Sequence, residues 1–383
     1  MLCSIVVGVD HNRSQISTVQ QFMRRLPGHC CSVLDTEDVY RCMGVGGVRL
    51  DKELLRRARS ACMWSFTGNC GPFGNARGPT THGLSGLDDP DSVAYEDILT
   101  LIAELPHGER PSCILMENIP SFLSSATRLC NKSTVMGDGP WWLHQLADLG
   151  YWVEAHLPSV DSLEVPQNRR RAMVVAFKDQ AHHSTWVSMG APQPSSKRPP
   201  LHSIFQSKHE LGARARDYAV DRAGVERYMD TVGLESGHCI VSRWCIAPGK
   251  TLRATYQPAR TIPNCERKEI PYGMYLAEGH EGHASIRMLT EVECGCYMGL
   301  TKQEAACLPL GASTYFALGN AVIVHEAEQF VQQALQCMGM PTCPRAVCEG
   351  QWGPAWHIAT HRCPELVRAR CGSQPCRTVW VTR

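Results

Sequence analysis

The sequence predicts an α/β fold, a doubly wound and mainly parallel sheet joined to a second, smaller domain. Three observations predict it. Across residues 1–181 short apolar runs alternate with helical patterns, the rhythm of strands linked by crossover helices. A long Gly/Pro-rich stretch, Gly68 to Pro90, directly follows one of those apolar runs. Open α/β sheets bind ligands beyond the carboxyl ends of their strands, so that stretch is placed to line a site. From about His182 to His283 the rhythm stops, and Pro-rich segments (Pro192, Pro194, Pro199, Pro200) with scattered basic residues replace it.

Taken in order, strands are expected at Ser4–Val9, Ala61–Phe66, Ser112–Met116, Trp152–His156 and Ala172–Phe177, each a short apolar run. Helices are expected at Ser14–Arg25, Lys52–Ser60, Ser92–Glu104 and Trp141–Leu149. Residues 182–285 form the second domain and residues 286–338 return to the first. Regular helix resumes at Thr290–Leu300, where Thr290 and Glu293 have capping-box spacing, and at Asn320–Cys337, where Asn320 is placed to cap the helix start. Residues 339–383 form a tail rich in Cys, Arg and Pro, to which no element is assigned.

The 383 residues are 43% hydrophobic and 20% charged, a globular composition and not a disordered one. The 38 basic and 37 acidic residues leave a net charge of +1, so nucleic-acid contact has to come from local patches. Lys208, Arg214, Arg216, Arg222 and Arg227 supply one patch, and Arg243, Lys250, Arg253 and Arg260 another; a solvated face explains them equally well. No run approaches the roughly 20 apolar residues of a membrane span. The opening Met1–Asp10 lacks a basic region and reads as a buried strand, not a signal peptide. Twenty dispersed cysteines without an export signal point to a reducing compartment, nucleus or cytoplasm, with most thiols acting as small buried hydrophobes. In the tail, Cys343-x4-Cys348 and Cys371-x4-Cys376 lack the Cys-x2-Cys ribbon spacing, and no metal is assigned there.

Four short pieces carry candidate chemistry. Asn69-Cys70-Gly71-Pro72-Phe73-Gly74 puts a thiol in a glycine-rich turn just past an apolar strand, where a thiolate can act as a soft nucleophile. Met116-Glu117-Asn118-Ile119-Pro120 puts an acid at the end of the next strand. Pro166-Gln167-Asn168-Arg169-Arg170-Arg171 offers arginine forks just before another strand. Leu318-Gly319-Asn320-Ala321-Val322 precedes the last long helix.

In this order and at these spacings the four pieces resemble the cytosine-5 DNA methyltransferase family, over residues 4 to about 337. The resemblance implies a Rossmann-like S-adenosyl-L-methionine-dependent methyltransferase sheet with a target-recognition domain between Arg171 and Arg287. It implies that Cys70 attacks C6 of a flipped cytosine in double-stranded DNA, that Glu117 assists at N3, and that Arg171 holds the base. Asn118, Gln167 and Arg169 would serve on the substrate side, Asn118 by orienting its loop and the other two by supporting the site. Gly86-Leu87-Asp88-Asp89-Pro90 is similar to the family's catalytic-loop exit, and Arg287-Met288-Leu289-Thr290-Glu291-Val292-Glu293 to a scaffold motif.

For the cofactor the resemblance points to Asp10 at the end of the first strand, to Asp35 or Asp38 near the adenine, and to Asn320 packing back on the pocket. This chain departs from the family in two places. The family's Pro-Cys-Gln reads Asn69-Cys70-Gly71 here, and the opening Phe-x-Gly-x-Gly strand and turn are absent, with no substitute evident after Val322. Two alternatives therefore stand beside a DNA methyltransferase: a truncated or degenerate homologue that binds DNA or a partner without turnover, and an RNA cytosine-5 methyltransferase of the same fold.

Overall fold

Period-two alternation within the apolar runs puts large side chains on both faces of the main sheet, so both faces have to be covered. The computed structural model describes residues 6–9, 17–18, 21–22, 25, 61–67, 70–73, 86–88, 92–124, 127–130, 134–158, 165, 169–192, 201–219, 237–242, 274–280, 283–340 and 377–382. In it, β1 (Val6–Val9), β2 (Ala61–Thr67) and β3 (Cys113–Asn118) are followed by a small antiparallel hairpin, β4 (Thr127–Cys130) and β5 (Thr134–Gly137). Next come β6 (Trp152–His156) and β7 (Ala172–Phe177), both with the expected boundaries. The expected first helix is helical at residues 17–18, 21–22 and 25, while Lys52–Ser60 lies outside the described residues. Helix α1 (Val93–Glu104) matches its expectation, and α2 (Asp138–Asp148) begins one turn earlier than expected.

Among the described residues the main sheet has six strands. Its sixth is β11 (Arg377–Thr382), drawn from the tail, and the order is β1-β11-β2-β3-β7-β6. β11 runs parallel between β1 and β2, with Val379 opposite both Val7 and Trp64. This corrects the reading that nothing after Val322 can substitute for a further strand. Thr378-Val379-Trp380-Val381-Thr382 is a β-branched and aromatic run, but its setting among cysteines and arginines hides it. β2 and β3 are parallel, whereas β7 is antiparallel to β3 and β6 antiparallel to β7.

Every residue of β3 and β7 is buried. On one face Phe66, Ile114, Met116, Val174 and Ala176 pack with Tyr95, Ile98 and Ile102 of α1 and Trp142 and Leu146 of α2. On the other, Met63, Cys113, Leu115, Val175 and Phe177 meet Trp186, Phe330 and Ala334. Trp186 belongs to α3 (Gln180–Met189), which the sequence analysis did not identify because His182, His183, Ser184 and Thr185 blur its apolar face. Asp179 caps it by accepting from the Ala181 N–H at 2.7 Å. Trp186, within the stretch that the sequence reading puts in the second domain (residues 182–285), thus packs on the main sheet.

After α3 come a 3-10 turn at Leu201–Ile204, a single helical turn, α4 (Lys208–Leu211), and an antiparallel sheet of β8 (Gly237–Ser242), β9 (Met274–His280) and β10 (His283–Met288) in the order β10-β9-β8. Helices α5 (Glu291–Tyr297), α6 (Lys302–Ala305), α7 (Ala312–Asn320) and α8 (Val324–Cys337) then lead back, and α8 lies on the main sheet. The Thr290–Glu293 capping box is present as expected. Asn320 is not the cap of the last helix: it ends α7, and α8 starts at Val324 after Ile323, because the apolar Ala321-Val322-Ile323 stretch turns the chain before helix resumes. Among the described residues no helix is long and apolar enough to cross a membrane.

Buried thiols behave as small hydrophobes. Burial raises the Cys113 thiol far above its ordinary range and lifts Cys296 to about 12. One glycine is demanded by close approach. A Cβ on Gly139, in the first turn of α2, would lie 2.6 Å from the Phe122 carbonyl oxygen and 2.8 Å from Leu123 Cα. Gly139→Ala is expected to destabilise the protein by about 1–3 kcal/mol, the usual cost of overpacking, read as a lower midpoint in a thermal melt.

Candidate active site

Cys70 sits three residues beyond the end of β2, where the chain tightens into a 3-10 turn, Gly71–Phe73, closed by the Phe73 N–H donating to the Cys70 carbonyl at 3.1 Å. The turn is anchored by an aromatic plug. The Phe73 ring stands edge-on to Tyr95 at 5.4 Å and to Phe122 at 5.1 Å, and Ser121 Oγ donates to the Phe73 carbonyl at 2.7 Å. Pro72 and Phe73 are buried while Cys70 is half-buried, so the turn is fixed from below and its thiol is free. The far end of the glycine-rich stretch is held as well. Leu87 N–H donates to the buried Asp138 Oδ2 at 3.1 Å, and Ser92 Oγ donates to the Gly86 carbonyl at 2.6 Å.

The second element is an acid–base pair delivered by two adjacent strands. Glu117 and Asn118 end β3, and register pairs Asn118 with Ala172, the first residue of antiparallel β7. Arg171 therefore arrives beside Glu117 as the chain enters β7. Its Nε lies 2.5 Å from Glu117 Oε1, and both side chains are below one-tenth exposed. A buried ion pair of this kind is costly to break, because the partner left behind is an uncompensated charge. Asn118 is buried too. Its Nδ2 donates to Tyr95 Oη and its Oδ1 accepts from the Ile119 N–H at 2.6 Å. Asn118 thus ties the chain leaving β3 to the same tyrosine that backs the Cys70 turn.

Arg169 enters the core with 2% of its surface exposed. Its Nη2 donates to the carbonyls of Gly319 at 3.1 Å and Ala321 at 2.6 Å, gripping the turn around the half-buried Asn320. Burial, then the charge of Arg171, lowers Arg169 to about 9, against the pull of Glu117, Cys70 and Glu326. Arg170 between the two points is exposed. Of the residues proposed from sequence, Cys70, Glu117, Asn118, Arg169, Arg171 and Asn320 fall within the described residues; Asp10, Asp35, Asp38 and Gln167 lie outside them, as do the tail cysteines and histidines.

Glu326 is a charged residue that sequence reasoning passed over. It occupies the first turn of α8, is 5% exposed, and neither carboxylate oxygen has a hydrogen-bond partner. Burial, then the charge of Glu117, raises it to about 8, with Arg171 and Arg169 opposing. The signal for it is an acid two residues beyond the apolar Ala321–Val324 run, after His325.

Arg287, near the end of β10, holds the fully buried Glu293 with both Nη nitrogens, Nη1 to Oε2 at 2.7 Å and Nη2 to Oε1 at 2.6 Å, a scaffold contact. Of the first basic patch, Lys208, Arg214 and Arg216 are exposed, and Arg214 already leans on Tyr218 and Glu291.

Residues 81–336 match the family described as C-5 cytosine-specific DNA methylase. The chain belongs to that family. The matched region takes in Glu117, Asn118, Arg169, Arg171, Asn320 and Glu326, and begins beyond Cys70. The fold is similar to that of the Entamoeba histolytica methyltransferase EhMeth, with TM-score 0.52 and 14% identity over 88% of this chain and 99% of that one. It is likewise similar to the S. pombe Dnmt2 methyltransferase, with TM-score 0.50 and 13% identity over 88% and 99%. No curated protein matches the sequence. The doubly wound, Rossmann-like α/β architecture read from the sequence is therefore the architecture of C5 methyltransferases.

Arg171→Ala strands Glu117 without its ion-pair partner and is expected to cost about 3–5 kcal/mol, as for other broken buried pairs. Arg170→Ala, at the exposed neighbour, should stay within about 0.5 kcal/mol of the parent. Urea unfolding of the two variants side by side checks both.

Proposed function

We propose that this family member transfers a methyl group from S-adenosyl-L-methionine to C5 of a cytosine in double-stranded DNA, through a covalent adduct between Cys70 and C6. The observation that carries the reading is the buried Glu117–Arg171 pair at the sheet edge that also bears the Cys70 turn. C5 of cytosine is too weak a nucleophile unaided. Addition of the Cys70 thiolate at C6 enriches C5 in electrons, and a proton delivered to N3 by Glu117 stabilises the charge that addition creates. Arg171, fixed against Glu117, would hold O2 of the same ring, so the pair would grip one edge of the base. A base in a duplex is stacked, and its C5 and C6 are reached only after it is flipped out.

Asn118 and Arg169 serve as positioning residues in this reading, since Tyr95 and the carbonyls of Gly319 and Ala321 occupy them. The bound cofactor would supply an electrophilic methyl group on a sulfonium. The described residues fit it in part: β1, β11 and β2 are parallel, the carboxyl edge of such strands is where nucleotide-like groups lodge, and Asn320, between the Gly319 and Ala321 carbonyls that Arg169 holds, would serve the cofactor side. Asp10 and Asp35 would complete the cofactor side. After methyl transfer, loss of the C5 proton and cleavage of the C6–S bond return the thiolate and 5-methylcytosine.

Cys70→Ala is expected to reduce methyl incorporation into duplex DNA to background while leaving DNA affinity unchanged, measured with a radiolabelled methyl donor and by fluorescence anisotropy. Glu117→Gln should lower the single-turnover rate about 10²–10⁴-fold, the usual range for a general acid. Turnover retained by Cys70→Ala would overturn the mechanism. Incorporation into RNA in place of duplex DNA would keep the chemistry and reassign the substrate. Calorimetric binding of S-adenosyl-L-methionine without turnover on either would point to a non-catalytic homologue.

A further inference from the structure

The parallel half of the sheet has its middle strand, β11, drawn from residues 377–382, far along the chain from the strands on either side. Register sets the carboxyl ends of the three strands level. Val381 stands opposite Val9 at the end of β1 and opposite Phe66 near the end of β2, and Thr382 stands opposite Thr67. Cys70 follows three residues after Thr67. Ligands of open α/β sheets lodge just outside such a row of strand ends. The middle place in the row, next to the strand that leads to the thiol, belongs to β11.

The slot between β1 and β2 is matched to this strand in this register. Trp380, the largest residue of β11, is placed between Gly8 on β1 and Ser65 on β2. By alternation Ser65 shares a sheet face with Met63, the face that α8 covers, whereas Trp64 and Phe66 belong to the face under α1. A slip of one residue would move Trp380 to the other face. A slip of two would set it opposite Met63 or Thr67 and away from Gly8. Among the described residues β11 is also the one strand neighbour of β1. Adjacent strands lie about 4.8 Å apart, so an empty slot would leave β1 and β2 about 10 Å from each other, with nothing between them to complete the edge.

We infer that β11 is a dockable wall of the methyl-donor pocket, so that seating of this strand and binding of S-adenosyl-L-methionine strengthen each other. The inference rests on the methyl-transfer reading above and adds a control to it: the pocket is complete only while residues 377–382 are in the sheet. Two events that favour the same arrangement are coupled, and the coupling acts with equal strength in both directions. Donor bound at the level strand ends favours the seated strand, and the seated strand supplies the donor with the middle of its binding edge. Trp380 is a positioning residue here, because it sets the register that brings Thr382 level with Thr67.

Three variants of the full chain test this. Val381→Pro removes a ladder N–H from a strand paired on both sides and blocks seating. Trp380→Ala keeps the ladder and removes the register-setting residue. Val153→Ala is the control: it thins the core at β6, the opposite edge of the sheet. Calorimetric titration of S-adenosyl-L-methionine should show affinity lowered about 5–150-fold by Val381→Pro, the usual span of such couplings, and by a smaller factor by Trp380→Ala. Val153→Ala should lower the melting point and keep the parent affinity. Parent affinity in a folded Val381→Pro would overturn the inference and leave methyl transfer standing. An equal loss in Val153→Ala would trace the effect to general destabilisation and overturn it too.

Amide hydrogen exchange on the parent gives the answer should the β11 variants fail to fold. Saturating donor should slow exchange at residues 378–382 by more than at β6, since the donor holds the strand in its slot. Exchange in β11 that is the same with and without donor would overturn the coupling. A parent chain that takes up no S-adenosyl-L-methionine would overturn the cofactor reading itself, and the coupling would fall with it.

Discussion

Burying charge is the constraint on which the rest of this structure depends. A guanidinium taken out of water needs hydrogen-bonding partners or opposite charge close by, and Arg169 finds its partners in backbone carbonyls from a distant part of the chain. That requirement draws the turn between α7 and α8 against the approach to β7 and sets where α8 begins. With α8 in place, Phe330 and Ala334 cover the face of the sheet left open by α1 and α2, alongside Trp186 of α3. One arginine therefore couples the closing of the core to the assembly of the pocket.

A second constraint works from the opposite face. Tyr95 touches Phe66, Phe73, Phe122 and Trp142, receives Asn118, and offers its own carbonyl to Trp142 Nε1 at 2.9 Å. The Cys70 turn and the chain leaving β3 are therefore seated on the same ring. Rigid support beneath a half-buried thiol is what the proposed reaction, with its need for precise approach, would require. Asp138 extends that support to the other end of the glycine-rich stretch, so the loop is tethered at both ends by groups inside the core.

Much of this is legible in the sequence, for physical reasons. β7 is found with the expected boundaries because a strand buried on both faces is a continuous apolar run bounded by turns. Glu117 and Arg171 stand out because charges next to such runs have to be placed on purpose. The pairing of the two depends on β3 and β7 being antiparallel neighbours, which no local pattern reveals. Glu326 is illegible for the opposite reason: an acid in the first turn of a helix is ordinary, and it becomes unusual only once packing removes it from water. The helix α3 is hidden by its histidines, and Asn320 has the sequence of a cap but the position of a helix end.

The strand β11 carries a consequence for how the molecule comes into being. It lies inside the sheet, between β1 and β2, although it is drawn from the far end of the sequence. A ribosome delivers its neighbours long before it delivers this strand, so the edges of β1 and β2 that flank it wait open during synthesis. Pairings this distant along the chain are slow to form, and exposed strand edges invite association with other chains. Nascent copies would therefore carry open strand edges until β11 slots in, and any step that trims or blocks it would part β1 from the rest of the sheet.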